Sequence, residues 1–383
     1  MRILTLHSRY LSGAISGENA VVDDEARLLR GAGHEVAVLS HGTATGGAVD
    51  LLRAGASAVW SRSAARDVGR MLSSERTDVV HVHNLFPNLS PTVLRSARTA
   101  GVPVVMTLHN YRLLCLPADL LRDGRICESC LGHLPWRGVV YRCYRDSALG
   151  SGALATSLGL HRAAGSFDAI TRYLAVSEFV KAKHVEAGIP PDRIIVKPNF
   201  TWPAARRRGA GEYFLYVGRL ASEKGVRTLV RAWEAGAPAP LKVVGDGPEG
   251  DELRRVASPG VEFVGEVPRE EVAGLLGGAR ALLVPSRWYE GAPRGILEAY
   301  AAGVPVLASR IGGLREIVLD GVSGLHVPVD DPSAWAEAAR TLVDDGVSQR
   351  LGAGALGLWN ERYTPRLGLE NLESAYGEAI AAA

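Results

Sequence analysis

The sequence has few of the features that mark a secreted, membrane-spanning or nucleic-acid-binding chain. No apolar run approaches the roughly 20 residues that a spanning helix needs. The formal net charge of +2 over 383 residues gives no global reason to bind nucleic acid or an anionic membrane. The start, Met1-Arg2 followed by ILTL, lacks the apolar region and the small-residue cleavage site of a signal peptide. We therefore expect a cytoplasmic protein without a nucleic-acid partner, and peripheral membrane contact stays open.

Cysteine is also scarce, and its four copies crowd into one stretch: Cys115, Cys127, Cys130 and Cys143. Structural disulfides in a chain of this length are not distributed in this way. A Cys-x2-Cys pair with a single cysteine on each side can instead present four thiolates tetrahedrally to zinc. The surrounding insertion, 111–146, reads as a loop with little apolar material, so a bound metal would supply the core that it lacks. A structural zinc site is the favoured interpretation, and reduced thiols or a pair of disulfides are the alternatives.

The chain does contain a repeated alternation of short apolar strands and helical stretches. Its length and its 47% hydrophobic content suit two domains of about 150–200 residues each. Residues 2–7 predict a strand, 20–30 a helix and HEVAVLS the next strand, which together form the βαβ unit of a parallel sheet. Further strands are predicted at 78–84, 103–110, 169–177, 193–199, 213–218, 240–245, 261–265, 279–285, 303–309 and 324–329.

One stretch interrupts this alternation and predicts the domain organisation. Residues 201–212, TWPAARRRGAGE, have no apolar period and are the best linker candidate. We therefore predict two Rossmann-like, doubly wound domains that face each other across a cleft. The acceptor domain would cover 1–200 and the donor-nucleotide domain 201–365. A last amphipathic helix within 366–383 needs a surface to cover and can pack back on the first domain. Its apolar stripe is Leu367, Leu369, Leu372, Tyr376 and Ile380.

Two basic residues follow the first strand of the second predicted domain. The strand YFLYVG leads into RLASEKG, which places Arg219 and Lys224 beyond its carboxyl end. Ligands of open parallel sheets bind at that edge. An arginine fork and a lysine point charge there would neutralise a diphosphate, although the same charges also occur in ordinary solvated loops.

The segment WYEGAPRGILEAYAAGVPV carries a stronger signal. Glu290 lies in a loop rich in glycine and proline, Pro293 can take the first helical position, and Gly303 ends the helix. Glu298 lies inside that helix. The free N–H groups of a helix N-terminus suit a phosphate, and carboxylates pair well with sugar hydroxyls. The segment therefore points to a sugar nucleotide rather than to a bare phosphate.

These motifs resemble the retaining family-4 glycosyltransferases of the GT-B fold. Glu290 and Glu298 match the E-x7-E element of that family, and VGRL-x-x-EKG at 217–225 matches another of its motifs. The resemblance extends to GAGHEVAVLS, VHVHN, TLHN, VKPNF, VVGDGP, VEFVGEV and GGLREIVLDGVSGLHVP, so that it spans nearly the whole chain. It implies a nucleoside-diphosphate sugar as the donor, with a UDP-hexose favoured by its frequency in the family, and a hydroxyl acceptor.

The resemblance also implies a role for each matching residue. Arg219 and Lys224 would bind the donor diphosphate in place of a divalent metal, and the sequence has no Asp-x-Asp motif for such a metal. Glu298 would hold the ribose hydroxyls, and Glu290 would face the donor sugar. His109 would lie near the primary hydroxyl of the sugar or near the acceptor. Backbone amides would contact the sugar or the phosphate at Gly291, Ala292, Pro293 and Arg294.

The first loop departs from the family pattern. It reads SGAISGENAVV rather than the more frequent GG-A, and Gly17 would let the backbone approach the diphosphate closely. Its neighbour Glu18 can orient the loop or cap the helix that begins at about Ala20. The resemblance further implies that the anomeric configuration is retained, with departure of the diphosphate and front-face attack by the acceptor hydroxyl.

Two patterns suggest other chemistry. GDGPEG at 245–250, with Glu266 at a suitable distance, matches the G-x-G-x-x-G of an NAD-dependent enzyme. That motif opens in mid-domain, however, and has Pro248 in its turn. His81 and His83 flank one valine on a strand, and we interpret them as structural residues or as a metal-binding pair.

The insertion is basic and aromatic as well as rich in cysteine. It follows the strand end TLHN, so we expect it to shape an acceptor pocket for a phosphorylated, lipid-linked or otherwise acidic acceptor. A zinc-knuckle-like nucleic-acid surface is the rival interpretation, and steep salt dependence would reveal it. Its arginines and aromatic residues include Arg112, Arg122, Arg125, Arg137, Arg142, Arg145, Trp136, Tyr141 and Tyr144.

Two other functions would share the nucleotide site. A GT-B-like sugar-nucleotide epimerase or hydrolase would need no acceptor, and a non-catalytic binding protein would need only the four donor residues. A phosphorylase is disfavoured because no lysine lies in a context that marks a pyridoxal phosphate site. The sequence carries no signal for an oligomeric state.

Overall fold

The chain forms two compact units, each built on a parallel sheet. The computed structural model describes residues 1–9, 17–42, 55–236 and 238–383. The first unit comprises Met1–Arg122, Cys127–Lys197 and Leu369–Ala383. The second comprises Asp123–Ile126 and Pro198–Gly368. Each unit carries one six-stranded sheet, which confirms the predicted class of two doubly wound α/β domains.

The first sheet consists of strands that the sequence predicts as apolar runs. They are Arg2–Arg9 (β1), Glu35–Gly42 (β2), Val79–Asn84 (β3), Val104–Leu108 (β4), Ile170–Ala175 (β7) and Ile194–Val196 (β8). Their order is β2-β1-β3-β4-β7-β8, with Ile3 aligned to Val36 and Val79. The chain adds β2 on one side of β1 and β3 on the other. The gap between β1 and β3 is therefore the switch point, where ligands of such sheets bind. A separate hairpin pairs Leu121–Arg122 (β5) with Arg125–Ile126 (β6).

The second sheet repeats this plan. Its strands are Tyr213–Val217 (β9), Leu241–Val244 (β10), Val261–Gly265 (β11), Ala279–Val284 (β12), Val306–Ser309 (β13) and Gly324–Val327 (β14). They follow the order β11-β10-β9-β12-β13-β14. Phe214 aligns with Leu241 on one side and with Ala281 on the other. The switch point of this sheet lies between β9 and β12.

Helices connect the strands in both units, and side chains cap several of their starts. Ser61, Ser177 and Asp331 each accept a backbone N–H of the first turn, which satisfies a donor that has no partner inside the helix. None of the described helices is long and apolar enough to cross a membrane. The helices are Gly17–Gly31, Arg62–Ser74, Thr92–Thr99, Trp136–Val140, Ala148–Ala163, Glu178–Glu186, Val226–Glu234, Gly250–Val256, Arg269–Gly278, Arg294–Ala302, Leu314–Ile317, Pro332–Thr341, Asp345–Arg362 and Pro365–Ala381.

The last helix fills the core of the first unit. Leu372 and Tyr376 are fully buried against residues of the first sheet and first helix, among them Ile3 and Leu29. The predicted stripe needs one correction, because Ile380 is exposed. Small residues, Ala375 and Ala379, occupy the buried face instead and let the helix lie close to the sheet.

The stretch 201–212 has no helix or strand, as expected of a linker, but it is packed onto the second unit. Thr201 is buried, its N–H donates to the Tyr363 carbonyl, and its hydroxyl donates to the Leu297 carbonyl. Arg207 donates to the hydroxyl and the carbonyl of Ser348. These bonds make the stretch part of that unit rather than a free connection.

The insertion 111–146 also differs from the expectation that it carries little apolar material. Its first ten residues include several fully buried side chains in contact with the rest of the first unit. The segment therefore has an apolar core of its own before any metal is considered. The buried residues are Tyr111, Leu113, Leu114, Cys115, Leu116, Ala118 and Leu120.

Candidate functional site

The charged residues singled out in the second unit lie at the switch point of its sheet. Arg219 and Lys224 follow β9, and Glu290 follows β12, the neighbouring strand on the other side of the switch. Parallel strands end at one edge, so the two loops meet there although 66 residues separate Lys224 from Glu290. This is the position at which open α/β sheets bind ligands.

Glycine shapes the loop that presents Lys224. Gly225 has a φ of +72° and precedes the helix Val226–Glu234. A Cβ at this position would lie 2.0 Å from the Pro285 carbonyl oxygen, so a side chain is excluded on both counts. The loop after β9 is thereby held against the end of β12.

Glu290 is buried and receives three hydrogen bonds at one carboxylate oxygen. Its Oε1 accepts from the Lys224 ammonium at 2.7 Å, the Ser286 hydroxyl at 2.7 Å and the Trp288 indole N–H at 2.8 Å. Burial alone would raise the pKa of this carboxyl, but the charge and the hydrogen bonds of its neighbours outweigh burial and lower the pKa. Glu290 is therefore held ionised. Lys224 also lies 4.8 Å from the centre of the Trp288 ring, a cation–π distance.

Arg219 is the more accessible of the two cations. Its side chain is 57% exposed and pairs with Glu223, one turn along the same loop. Because such an exposed pair adds little stability, a ligand anion can replace Glu223 at small cost. Arg219 thus offers a reachable positive charge on the same loop as Lys224, whose side chain is half-buried.

Glu298 lies between two arginines. Its Oε1 accepts from Arg269 at 3.1 Å and from Arg294 at 3.4 Å. The helix that carries Glu298, Arg294–Ala302, ends before Gly303, which has a φ of +73°, as the sequence predicts. Its start differs by one residue, because Pro293 precedes the helix as its N-cap instead of taking the first helical position. One implied contact needs correction, because Pro293 has no N–H to donate. In this stretch only Gly291, Ala292 and Arg294 can donate to a sugar or a phosphate.

Gly17 begins the first helix instead of lying in a loop before it. The helix starts three residues earlier than predicted, and a Cβ on Gly17 would meet no atom within 4 Å. Glu18 occupies its first turn and accepts from the Asn110 side chain. The part of the predicted loop at 10–16 lies outside the described residues. Close approach at Gly17 therefore stays a prediction.

The carboxyl edge of the first sheet holds a buried cluster of histidines. The Nε2 of His109 lies 2.9 Å from the Nδ1 of His83, and the two rings stack. His83 in turn lies 3.6 Å from Glu25, which forms a buried ion pair with Lys197. Burial is the main cause that lowers the pKa of His109 to about 3, and Lys197 and His7 lower it further. His109 is therefore neutral at physiological pH.

Among the residues that the structure describes, one group of potential metal ligands lies close together. The nitrogen and oxygen atoms that Glu25, His81 and His83 could offer to a metal lie within 4.8 Å of one another. Both ring nitrogens of His81 already have partners, the Tyr376 hydroxyl at 2.8 Å and the Thr107 hydroxyl at 2.7 Å. The Lys197 ammonium occupies the other side of Glu25. A cation would have to displace these contacts, so the geometry favours the structural interpretation of His81 and His83 over a metal pair.

The four cysteines are free thiols, and they do not form such a set. Burial raises the pKa of Cys115 to about 12 and also raises the pKa of Cys130 and Cys143. The charges of Cys127 and Cys130 contribute to the shift at Cys143, which places these three thiols in one neighbourhood. At Cys115, backbone N–H groups of residues 118–120 lower the pKa, but burial outweighs them.

Two family models match this chain in succession. One, described as a glycosyl transferase 4-like domain, matches residues 16–199, and one described as glycosyl transferases group 1 matches residues 211–345. A D-inositol 3-phosphate glycosyltransferase of Catenulispora acidiphila is 30% identical over 305 residues, which are 73% of this chain and 67% of that protein. The chain belongs to the glycosyltransferase family that these two models describe.

Other similarities cover less sequence or show the fold alone. The glycogen synthase of Mycobacterium tuberculosis is 37% identical over 166 residues, and the match spans 40% of this chain and 40% of that protein. The structure of the Anabaena HepE protein in complex with UDP and glucose superposes with a TM-score of 0.68 at 17% identity. That superposition covers 98% of this chain and 100% of that chain.

The G-x-G-x-x-G pattern has a structural explanation in this chain. A Cβ on Gly245 would lie 2.1 Å from the Gly218 carbonyl oxygen, and one on Gly247 would lie 2.5 Å from that of Leu220. The glycines therefore let the turn after β10 pack on the loop that carries Arg219. The motif supports the site after β9 rather than forming a dinucleotide site of its own.

Sequence reasoning misses several residues at the carboxyl edges of the two sheets. Trp288 lies two residues before Glu290 in the same motif, so its position in the sequence indicates that it can contact Glu290. Arg269 lies on a separate helix and has no local signal. Glu25 and Lys197 are 172 residues apart, and each reads as an ordinary surface charge.

Proposed function

We propose that this chain transfers a hexose-type sugar from a nucleoside-diphosphate sugar, with a UDP-sugar favoured, to a hydroxyl acceptor with retention of configuration. The observation that carries the proposal is the Lys224–Glu290 contact at the switch point of the second sheet. The two side chains lie 2.7 Å apart, which supports Lys224 as the cation for the diphosphate and Glu290 as the carboxylate for the sugar hydroxyls. The HepE structure, in complex with UDP and glucose, supports the choice of a uridine donor.

The second unit would hold the donor. Arg219 and Lys224 neutralise the diphosphate without a divalent metal, and the N–H groups of the loop 291–294 contact sugar or phosphate. Glu298 accepts from the ribose hydroxyls once Arg269 or Arg294 yields one of its contacts. Glu290, held ionised by its three donors, faces the sugar hydroxyls.

The chemical step would break one bond and form another on the same face of the sugar. The bond between the anomeric carbon and the diphosphate oxygen breaks, and the oxygen of the acceptor hydroxyl bonds to that carbon. The acceptor proton passes to the departing phosphate oxygen. Charge grows on the diphosphate during this step, so Lys224 and Arg219 stabilise the transition state more than the bound donor. Neutral His109, in the first unit, takes the sugar- or acceptor-side role that the resemblance implies, and Gly17 the role near the diphosphate.

The first experiment is a thermal-shift screen of UDP, GDP, UDP-glucose and GDP-mannose at equal concentration. A ligand that binds only the folded protein raises its melting temperature, so we expect the largest shift with uridine nucleotides. A larger shift with GDP would move the donor assignment to guanosine. No shift with any nucleotide would contradict the donor site itself.

Product analysis separates transfer from the alternative of an epimerase or hydrolase. With the donor alone, a transferase should release nucleoside diphosphate only at a slow background rate. Addition of an alcohol acceptor should then yield an α-linked glycoside from an α-linked donor. Rapid turnover of donor alone, to an epimer or to free sugar, would favour the alternative.

The zinc site also stays a proposal. The charges of Cys127 and Cys130 act on Cys143, and Cys115 would be the fourth ligand of a tetrahedral set. Such a site would be structural, since four thiolates leave no position for a substrate. Elemental analysis of protein purified without chelator should give one zinc per chain, and Cys130→Ser should abolish it. A wild-type chain free of zinc, and equally stable with added chelator, would exclude the site.

A further inference from the structure

The most exposed of the large apolar side chains described in the first unit lie together in one segment. Val140 is 77% exposed and Leu149 83% exposed, and Trp136 and Tyr141 are each more than half exposed. Isolated exposed apolar residues are ordinary, whereas a group of them marks an interaction site. We call the group formed by Leu134, Trp136, Val140, Tyr141, Leu149 and Leu160 the apolar surface.

Helix geometry groups these side chains on two neighbouring helices. Trp136 and Val140 are four residues apart on the helix Trp136–Val140, so they share one face. Leu149 and Leu160 are eleven residues apart on the helix Ala148–Ala163, which is three turns, so they also share a face. The two helices pack on each other. Leu134 lies 3.8 Å from the Cβ position of Gly159, which joins the far end of the second helix to the first.

The surface is edged with positive charge. Residues 129–145 contain three arginines and no aspartate or glutamate, in a chain that is otherwise nearly neutral. Arg137, Arg142 and Arg145 are exposed, and Arg122 lies 4.0 Å from the Tyr141 ring centre. Before this run, Glu128 pairs with Lys183 at 2.7 Å. The next acid along the chain is Asp146.

We propose that the apolar surface docks on an anionic lipid bilayer, with its tryptophan, tyrosine and aliphatic side chains in the interface and its arginines on the lipid headgroups. Exposed aromatic residues between arginines suit the headgroup level of a bilayer. Each arginine near an anionic surface adds attraction that salt screens. Nucleic acid would use the same charges, but Val140 and Leu149, the two most exposed members, offer bases no stacking face. This goes beyond the proposed transfer reaction and does not depend on it.

Vesicle flotation of the full chain, without any sugar nucleotide, tests the proposal. Wild type should float with vesicles of equal parts phosphatidylglycerol and phosphatidylcholine, weakly with phosphatidylcholine alone, and less at 0.5 M than at 0.1 M salt. The variant Val140→Asp with Leu149→Asp should lower the partition coefficient about a hundredfold, since the loss of each buried apolar side chain is expected to lower it about tenfold. Both residues are exposed, so the melting temperature should stay the same.

A matched pair of substitutions controls for added negative charge. Val256→Asp with Val322→Asp places the same charges at exposed valines of the second unit and should leave flotation unchanged. A second test variant, Arg137→Gln with Arg142→Gln and Arg145→Gln, should weaken binding only to the anionic vesicles.

Four results would overturn the proposal. The first is a wild type that does not float. The second is a variant with both Val140→Asp and Leu149→Asp that floats like the control pair. The third is a dimer that this variant dissociates while no vesicle is bound, which would make a second copy the occupant. The fourth is salt-sensitive binding to a single-stranded oligonucleotide without vesicle binding. Since no donor is present, each of these results leaves the transfer proposal untouched.

Discussion

The charged residues at the carboxyl edges of the two sheets differ in their exposure to water. In the first, Glu25, Lys197, His81 and His83 are withdrawn from water, with Glu25 paired to Lys197 and 3.6 Å from His83. In the second, the side chain of Lys224 is 25% exposed and that of Arg219 57% exposed. The same fold therefore places one set of charged groups out of reach of ligands and leaves the other within reach.

This difference separates stability from binding. A charge pair that water and ligands cannot reach has no other partner, so the fold depends on both members. A half-exposed charge can exchange its protein partner for a phosphate, so its loss should affect catalysis more than folding. The histidines are also unevenly divided between the units, because nine of the ten precede residue 198, where the main part of the second unit begins.

The largest effect is expected from Lys197→Ala in the first unit. It leaves the Glu25 carboxylate buried without its cation, so the free energy of unfolding should fall by about 3–5 kcal/mol. Urea unfolding at pH 7, with hydrogen exchange of β1 to identify the unit, measures it. Lys242→Ala, which removes a surface pair with Glu262, should cost less than about 1 kcal/mol. Equal losses in both variants would remove the distinction between the two edges.

The next effect is expected from Lys224→Met in the second unit. The rate of transfer should fall by about a hundred- to a thousandfold, because the charge that grows on the departing diphosphate loses one of its two assigned cations. Stability should change far less than in Lys197→Ala, since Glu290 keeps hydrogen bonds from Ser286 and Trp288. Steady-state kinetics with saturating donor measure the rate, and Lys242→Met is the matched control. Wild-type turnover would refute the role of Lys224.

Glu298→Gln should have a smaller effect that is confined to the ribose. Loss of a charged acceptor should weaken nucleoside diphosphate binding by about 1.5–3 kcal/mol, roughly tenfold or more. Calorimetry with UDP and with its 2′,3′-dideoxy analogue isolates the contact, because only wild type should prefer the hydroxylated ribose strongly. A variant that keeps this preference would assign the ribose to another residue. Glu252→Gln, at an exposed pair with Arg227, is the control.

The last effect is a pH dependence of the free energy of unfolding that should belong to the first unit, slight near pH 6.5 and growing towards pH 4. Burial lowers the pKa of His184 to about 4, whereas an unfolded histidine binds a proton near pH 6.5. Between these values the unfolded state holds a proton that the folded state lacks. The free energy of unfolding should therefore fall as the pH drops from 6.5 to 4, by up to about 1.4 kcal/mol per pH unit for this residue.

Replacing this histidine tests the sign and the place of that dependence. His184→Phe should flatten the decrease in stability between pH 6.5 and 4 in urea unfolding. His133→Gln, at an exposed histidine, should leave the decrease unchanged. A steeper decrease in His184→Phe would mean that the buried ring is stabilised, not destabilised, by acid.

The sheets could be predicted from the sequence because fully buried parallel strands are continuous apolar runs. VVHV, VVMTL and FLYV each contain more apolar residues than a half-exposed strand would. Boundaries were less certain, since the first helix begins at Gly17 although Gly17 and Asn19 have weak helix preference. Tertiary contacts, such as the one from Glu18 to Asn110, decide such ends.

The candidate site could be predicted in part. Arg219, Lys224, Glu290 and Glu298 were found from local motifs, but the contact between Lys224 and Glu290 depends on two strands being neighbours. The Glu25–Lys197 pair could not be found, because an acidic residue in VVDDEARLL normally faces water. Both charges are buried because Lys197, directly after β8, packs against the first helix, which carries Glu25.

The position of the last helix has a consequence for synthesis. Residues 369–383 belong to the first unit, where Leu372 and Tyr376 complete the core around Ile3, and Tyr376 bonds to His81. A ribosome that adds about 5–20 residues per second makes the whole second unit before these side chains exist. The amino-terminal half of the protein is therefore the first to be translated and the last to be completed.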